Sequence, residues 1–363
     1  MRLLLPLLLL ATTALTAQTL QWRDIRDFGI EGQGWTDTKH PFDRFPAKAE
    51  TLVRPAVWSL SQNSAGLLAR FTSNAKSIRA RWTLTKANLA LPHMPATGVS
   101  GLDLYIRDPQ GRYHWVGAGR PEKQTNDTAL ASGFDGAPHE FVVYLPLYNG
   151  VESVEIGVPA EASIGKAPAR PALRPVVVYG TSITQGGCAS RPAMAYPAIL
   201  GRRFDWPMIN LGFSGNGRNE PEVAKLLAEL DPAAYVIDSL PNIGPDDAPK
   251  LVEPFIRALR AARPSTPIVL VENVTYSGSD YIAAKKQRSE GANKVLRQAY
   301  EKLIREGDKY LTYIPGGDLL GDDGEGAVDG THPTDLGFTR MADVIGRDLA
   351  QILRAERARA TTR

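Results

Sequence analysis

Val176-Val177-Val178-Tyr179-Gly180-Thr181-Ser182-Ile183-Thr184 is the stretch on which the fold turns. Three valines and a tyrosine run into a glycine, which reads as a short strand buried on both faces, as in parallel sheets. The pattern recurs downstream. Met208–Leu211, Tyr235–Leu240, Ile268–Glu272 and Tyr310–Ile314 read as four further strands. Pro221–Leu230, Pro249–Ala262, Ala284–Arg305 and Asp335–Arg354 read as amphipathic helices, the second with Leu251, Phe255, Leu259 and Ala262 on one face. Strands alternating with helices predict an α/β unit over residues 176–363, a parallel sheet covered on both sides. Ligands of such sheets sit beyond the carboxyl ends of the strands, which is where Ser182 falls.

Upstream, the periodicity changes. Residues 18–165 hold short β-branched or aromatic runs: Ser77–Leu84, which alternates apolar and polar, then Leu102–Ile106, Tyr113–Val116, Phe141–Leu147 and Val154–Val158. Gly, Pro, Asn and Asp punctuate the gaps, and the pattern predicts an all-β sandwich or jelly roll. Residues 166–175, rich in Ala and Pro, read as a linker.

A chain of 363 residues fits two such domains at roughly 150 residues each. The formal charge is only +3 and no dense Lys/Arg run appears, so composition gives no support to a nucleic-acid partner. The opening MRLLLPLLLLATTALTAQ has Arg2, an apolar run from Leu3 to Leu10, and small residues with Ala14 or Ala17 as cleavage points. This predicts a secretory signal over residues 1–17 and an exported protein, periplasmic or extracellular, with no membrane span after cleavage. The apolar run is short for a bilayer core of ~30 Å. Cys188 is the one cysteine, so no intrachain disulfide can form. No dense His/Cys cluster or H-E-x-x-H occurs in the sequence, so neither a dedicated metal site nor a cofactor is expected.

Ser182 needs a base to act as a nucleophile; alone, it reads more readily as a turn residue or helix cap. The surrounding residues are not G-x-S-x-G, because position 184 is Thr, so the elbow of α/β-hydrolases is not indicated. Of five histidines, His40, His93, His114, His139 and His332, only His332 lies in the α/β half. It stands in Asp329-Gly330-Thr331-His332-Pro333-Thr334, where one turn sets carboxylate beside imidazole; an Asp-Gly turn into a helix capped by Thr334 reads the same residues structurally. Gly215, after the second strand, offers a backbone N–H for an oxyanion, or simply a turn. Asn242, after the third, offers a side-chain amide, or a satisfied loop residue. All of these loops leave the same edge of one sheet.

In combination these residues resemble the SGNH (GDSL-type) hydrolases, over about Arg174 to Leu353. Ser182 matches the block-one nucleophile, Gly215 the block-two glycine and Asn242 the block-three asparagine, and Asp329 with His332 matches the D-x-x-H block. The resemblance implies a flavodoxin-like three-layer fold, catalysis by Ser182, Asp329 and His332, and an oxyanion hole of the Ser182 N–H, the Gly215 N–H and the Asn242 amide. Two blocks depart from the family pattern: Thr181 stands where Asp is usual, and Leu240-Pro241-Asn242 replaces Gly-x-Asn-Asp. Gly101-Leu102-Asp103-Leu104-Tyr105 resembles the G-x-D-L-Y domain that precedes certain bacterial SGNH hydrolases, some of them polysaccharide acetylesterases. The branch thus implies a serine esterase acting on an acylated carbohydrate or other small ester. A lipase or thioesterase for longer acyl chains is the alternative within enzymes. A carbohydrate-binding protein with a degenerate hydrolase fold is the alternative of another class.

Three further residues are candidates for substrate contact: His93, Arg191 and Arg218. Each has a structural reading beside it, a hydrogen bond for His93 and surface pairing for the arginines. Cys188 is expected as a small buried hydrophobe. The oligomeric state is not encoded in any pattern of the sequence.

Overall fold

A computed structural model of the chain describes residues 19–361; the predicted signal, residues 1–17, lies outside them. The strands of the first half are β1 (Leu20–Asp24), β2 (Ile30–Glu31), β3 (Leu68–Ser73), β4 (Ser77–Leu84), β5 (Leu102–Arg107), β6 (Tyr113–Gly119), β7 (Thr125–Ser132), β8 (His139–Tyr144), β9 (Val151–Pro159) and β10 (Ile164–Lys166). They make two antiparallel sheets, β1-β9-β4-β7 and β10-β3-β8-β5-β6, with β2 beside β3. Alternation decides which side chains enter the space between them. Ile78, Ala80, Trp82 and Leu84 of β4 join Phe71, Phe141, Val143, Val154 and Ile156 in one core. The intervening Arg79 and Arg81 face outward and both bind Asp127 of β7.

Two details differ from expectation. Lys166, expected in the linker, is a strand residue opposite Phe71, and the irregular segment starts after it. Residues 49–61, expected within β structure, form the helices α1 (Ala49–Leu52) and α2 (Pro55–Ser61). Pro55 at the first position of α2 suits a helix start. Their Ala49, Val57 and Trp58, with Trp35 and Phe45, are buried in the same cluster as the α/β half. A short helix α3 (Ala96–Val99) follows β4.

The second half is a five-stranded parallel sheet of β11 (Val176–Gly180), β12 (Met208–Gly212), β13 (Ala234–Asp238), β14 (Ile268–Val271) and β15 (Leu311–Ile314), in the order β12-β11-β13-β14-β15. This is the flavodoxin-like order, in which the first strand lies inside the sheet. After the one-turn helix α4 (Ser182–Gln185) come α5 (Tyr196–Phe204), α6 (Pro221–Glu229), α7 (Ala248–Ala262), α8 (Ala283–Arg305) and α9 (Asp335–Thr361). Val177 and Tyr179 join the cluster of α6, α7 and α8. Val176 and Val178 join that of α5 and α9. Hence the unbroken apolar run of β11: each of its faces meets a helical layer. In α7 the buried face is Val252, Phe255, Ile256 and Leu259; Ala262, expected on it, is exposed. The helix α5 carried no expectation; Gly201 and three arginine or aromatic residues at its end blur its period. Among the described residues no helix is long and apolar enough to cross a membrane.

Arg44 ties the halves together from inside. Its side chain is 1% exposed. It donates to the carbonyls of Leu60 and Asn63 in its own half and of Asn210 and Gly212 at the end of β12. Burial pushes its pKa down to about 9, so it remains a cation at neutral pH, held by backbone dipoles. Removing it takes a charged donor from four carbonyls, of which that of Leu60 keeps the Asn63 N–H. Arg44→Ala is expected to destabilise the protein by about 3 kcal/mol or more, read as a lower urea midpoint; a midpoint equal to wild type contradicts this role.

Candidate active site

Ser182 opens α4 directly after β11, so the strand delivers its hydroxyl to the carboxyl edge of the sheet. Thr181, in the place usual for Asp, caps α4 by accepting the Ile183 N–H. Two close approaches hold this corner together. A Cβ on Gly180 would come within 2.4 Å of the Asp238 carbonyl oxygen, and one on Gly217 within 2.0 Å of the Gly180 carbonyl oxygen. Only glycine lets the loops after β11, β12 and β13 meet so tightly.

The histidine arrives from the other end of the chain. Thr334 caps α9 by accepting the Gly337 N–H. An isolated bridge joins Ala327 to Pro333, and the Val328 N–H donates to the His332 carbonyl. At the first position of α9, Asp335 accepts the Ser190 N–H at 2.9 Å, which fastens the histidine loop to the segment that leaves α4. His332 Nε2 thereby lies 2.7 Å from Ser182 Oγ, and His332 Nδ1 lies 2.7 Å from Asp329 Oδ2. With Nδ1–H donating to the carboxylate, Nε2 keeps the lone pair that accepts the serine O–H. The other Asp329 oxygen accepts the N–H groups of Thr331 and His332. Burial pushes the Asp329 pKa upward, but these hydrogen bonds outweigh it and hold the carboxyl at about 2.

The predicted oxyanion donors come to the same edge. Gly215 has φ +68° and open space where a Cβ would stand. Its loop is pinned by the Phe213 N–H on the Gly180 carbonyl and the Ser214 N–H on Gln185 Oε1. Asn242 ends a single 3-10 turn, Leu240–Asn242, after β13. Its Oδ1, an acceptor, is buried without a partner.

The two arginines have structural partners. Arg218 is exposed and donates through Nε to the Gly215 carbonyl, bracing that loop. Arg191 donates to Asp103 Oδ2 and to the Tyr105 hydroxyl. Asp103, wholly buried, also accepts the Trp115 indole N–H and the Ala193 N–H, so the Gly101–Tyr105 motif works as a clasp between the halves. His93 does reach the site: its ring centroid is 5.5 Å from that of His332.

Sequence reasoning missed the layer under the serine. Asp238 Oδ2 accepts hydrogen bonds from Thr184 and Tyr196, and burial pushes this carboxyl up to about 7 against their pull. Tyr148 donates to the Ser182 carbonyl, and Gln185 to the carbonyl of Leu147. It also missed that His93, Cys188 and His332 come together, with ligand-capable atoms within 4.8 Å of one another. These residues are some 95 and 144 positions apart in the chain, so no short-range spacing announces them.

Known proteins share this architecture. The GDSL-like lipase/acylhydrolase family matches residues 173–350, and the family described as the N-terminus of SGNH-hydrolase-type esterases, GxDLY, matches residues 20–164. A crystal structure assigned as a GDSL-like lipase from Bacteroides ovatus is 35% identical, with a TM-score of 0.88 over 93% of this chain and 98% of that one. A salicylyl acyltransferase from a tetracycline biosynthetic pathway shares the fold at 18% identity and TM-score 0.72, over 93% of this chain and 98% of that one. A family two carbohydrate esterase from Clostridium thermocellum, in complex with cellohexaose, does so at 14% identity and TM-score 0.57, over 80% of this chain and 93% of that one. No curated protein matches the chain significantly in sequence. With one relative at 35% identity over nearly the whole length and both halves matched by their family patterns, the chain belongs to the GDSL-like lipase/acylhydrolase family, with a GxDLY N-terminal domain.

Proposed function

We propose that this chain is an exported serine esterase that removes short acyl groups, acetyl foremost, from carbohydrate. The observation that carries the reading is the unbroken run of two 2.7 Å contacts from Ser182 Oγ through His332 to Asp329. In this reading Ser182 Oγ attacks the ester carbonyl as its proton passes to His332 Nε2. Asp329 fixes the imidazole tautomer and offsets the charge of the imidazolium. The oxyanion is held by the Ser182 N–H, the Gly215 N–H and the Asn242 amide. The imidazolium protonates the leaving alcohol, and water activated by His332 then releases the acid from Ser182.

Two features support a carbohydrate alcohol. The family two carbohydrate esterases have this fold. A cavity of about 590 Å³ borders Ser190 and Arg191, in the segment leaving the serine, and is walled by Trp115, Thr97, Arg120 and Glu122. Trp115 is 51% exposed there, and an indole edged by polar groups suits a sugar ring. Export rests on the N-terminal segment alone.

Acetate release from acetylated polysaccharides, set beside a p-nitrophenyl ester series from acetyl to octanoyl, tests the substrate; octanoyl preference contradicts the reading. Ser182→Ala is expected to lower kcat on p-nitrophenyl acetate by ~10⁴-fold or more, and turnover at the wild-type rate would falsify the nucleophile. Asn242→Ala should cost ~10²–10³ in kcat with KM little changed. The hydrogen bonds to Asp329 favour its ionised form, so its contribution to stability is present above the unfolded value of about 3.9 and fades as pH falls through about 2. The carboxyl resonance of Asp329 should therefore titrate near 2 in wild type and nearer the ordinary value in His332→Ala; equal midpoints in the two proteins contradict the pairing.

A further inference from the structure

We propose that His93, Cys188 and His332 form an inhibitory site for a soft divalent cation of the Zn²⁺ class, which closes the esterase by occupying its histidine. Their ligand-capable atoms lie within 4.8 Å of one another. Tetrahedral Zn²⁺, at about 2.3 Å from sulfur and 2.0–2.1 Å from nitrogen, needs ligand atoms about 3.3–3.6 Å apart. His93 can supply that closure, because its side chain is exposed on the loop between Leu91 and Met94. One sulfur and two imidazoles select Zn²⁺ over Mg²⁺ or Ca²⁺, which take oxygen.

Further observations bear on the site. His332 binds Asp329 through Nδ1, so Nε2 is the ligand. A carboxylate on the far nitrogen is the arrangement that orients metal-bound histidines and raises their basicity. Ser182 Oγ is 2.7 Å from Nε2, so a cation on that nitrogen takes the lone pair the serine hydroxyl now uses. Cys188 is held at φ +72°, one of three non-glycine residues with positive φ among the described residues.

Binding exchanges a proton for the metal. The Cys188 S–H bond breaks, the proton leaves to solvent, and the thiolate and two neutral imidazoles each donate a lone pair to the cation; nothing is oxidised. Nε2 then has no lone pair left for the serine proton. The inhibition rests on the esterase reading above, whereas the site itself does not.

The test uses the full mature chain, stripped with a chelator. Co²⁺ titration reads the site by its thiolate-to-metal charge-transfer band, and Zn²⁺ titration reads p-nitrophenyl acetate hydrolysis. The band is expected to saturate at one equivalent, to vanish in Cys188→Ser, and to need ~10–100-fold more metal in His93→Ala. Zn²⁺ should stop wild-type hydrolysis, a chelator should restore it, and Cys188→Ser should resist with its metal-free rate unchanged. Absence of a sulfur band in folded wild type overturns the site, as does equal Zn²⁺ sensitivity of Cys188→Ser. Should that variant not fold, His93→Ala decides by the cobalt titration alone. If the chain hydrolyses no ester, the band still decides the site, so the two failures remain distinct.

Discussion

The site depends on how closely three loops pack at the end of β11. That strand is hydrogen-bonded on both sides, Gly180 lying opposite Gly212 of β12 and Asp238 of β13. The carboxyl ends of β11, β12 and β13 are thus drawn level, and each feeds a loop carrying one member of the site. Level strands alone do not bring loops into contact. A methyl group at Gly180 would overlap both the Thr184 hydroxyl oxygen and the Asp238 carbonyl, at 2.1 and 2.4 Å. The missing side chain converts three adjacent strand ends into one corner, where the proposed donors can converge on a single developing charge.

The proton-accepting side of that corner depends on a different contact. Asp329 and His332 are local neighbours and their pairing needs only a turn, but nothing local aims the pair at Ser182. The aim comes from the start of α9, where Thr334 caps the helix and Asp335 takes the N–H of Ser190. A long helix packed by Phe338, Met341, Ile345 and Leu349 is a rigid lever, and fixing its first residue to the serine segment fixes the imidazole with it.

What the sequence made visible follows from the range of each interaction. The strand–helix alternation and the Asp-x-x-His turn are short-range, and both appear where periodicity put them. Strands β3 and β7 escaped notice because their patterns are broken: Arg70 within β3 is buried through its pairing with Glu31 and Glu140, and β7 begins with Thr-Asn-Asp. The helices over residues 49–61 were hidden for a related reason. Their apolar residues serve the α/β core rather than the sandwich to which chain order assigned them. Arg44, Asp238 and the meeting of Cys188 with His93 and His332 join residues from distant strands and loops, and no one-dimensional period carries such information.

These long-range contacts also change what the first half is for. It does not stand beside the site as a separate module. Tyr148 reaches the Ser182 carbonyl, Leu147 holds Gln185, and Gln185 in turn holds the Ser214 N–H of the Gly215 loop. A chain of hydrogen bonds therefore runs from the β8–β9 connection, under the serine, to the loop of Gly215, the second of the proposed oxyanion donors. Arg44 meets the same region from below, on the carbonyls of Asn210 and Gly212. Geometry that must hold to within about half an ångström for acyl transfer is built from rigid supports. Here those supports come from the sandwich half. The parallel sheet supplies the reacting groups and the first half supplies the floor that keeps them in register, so the two halves make one catalytic unit.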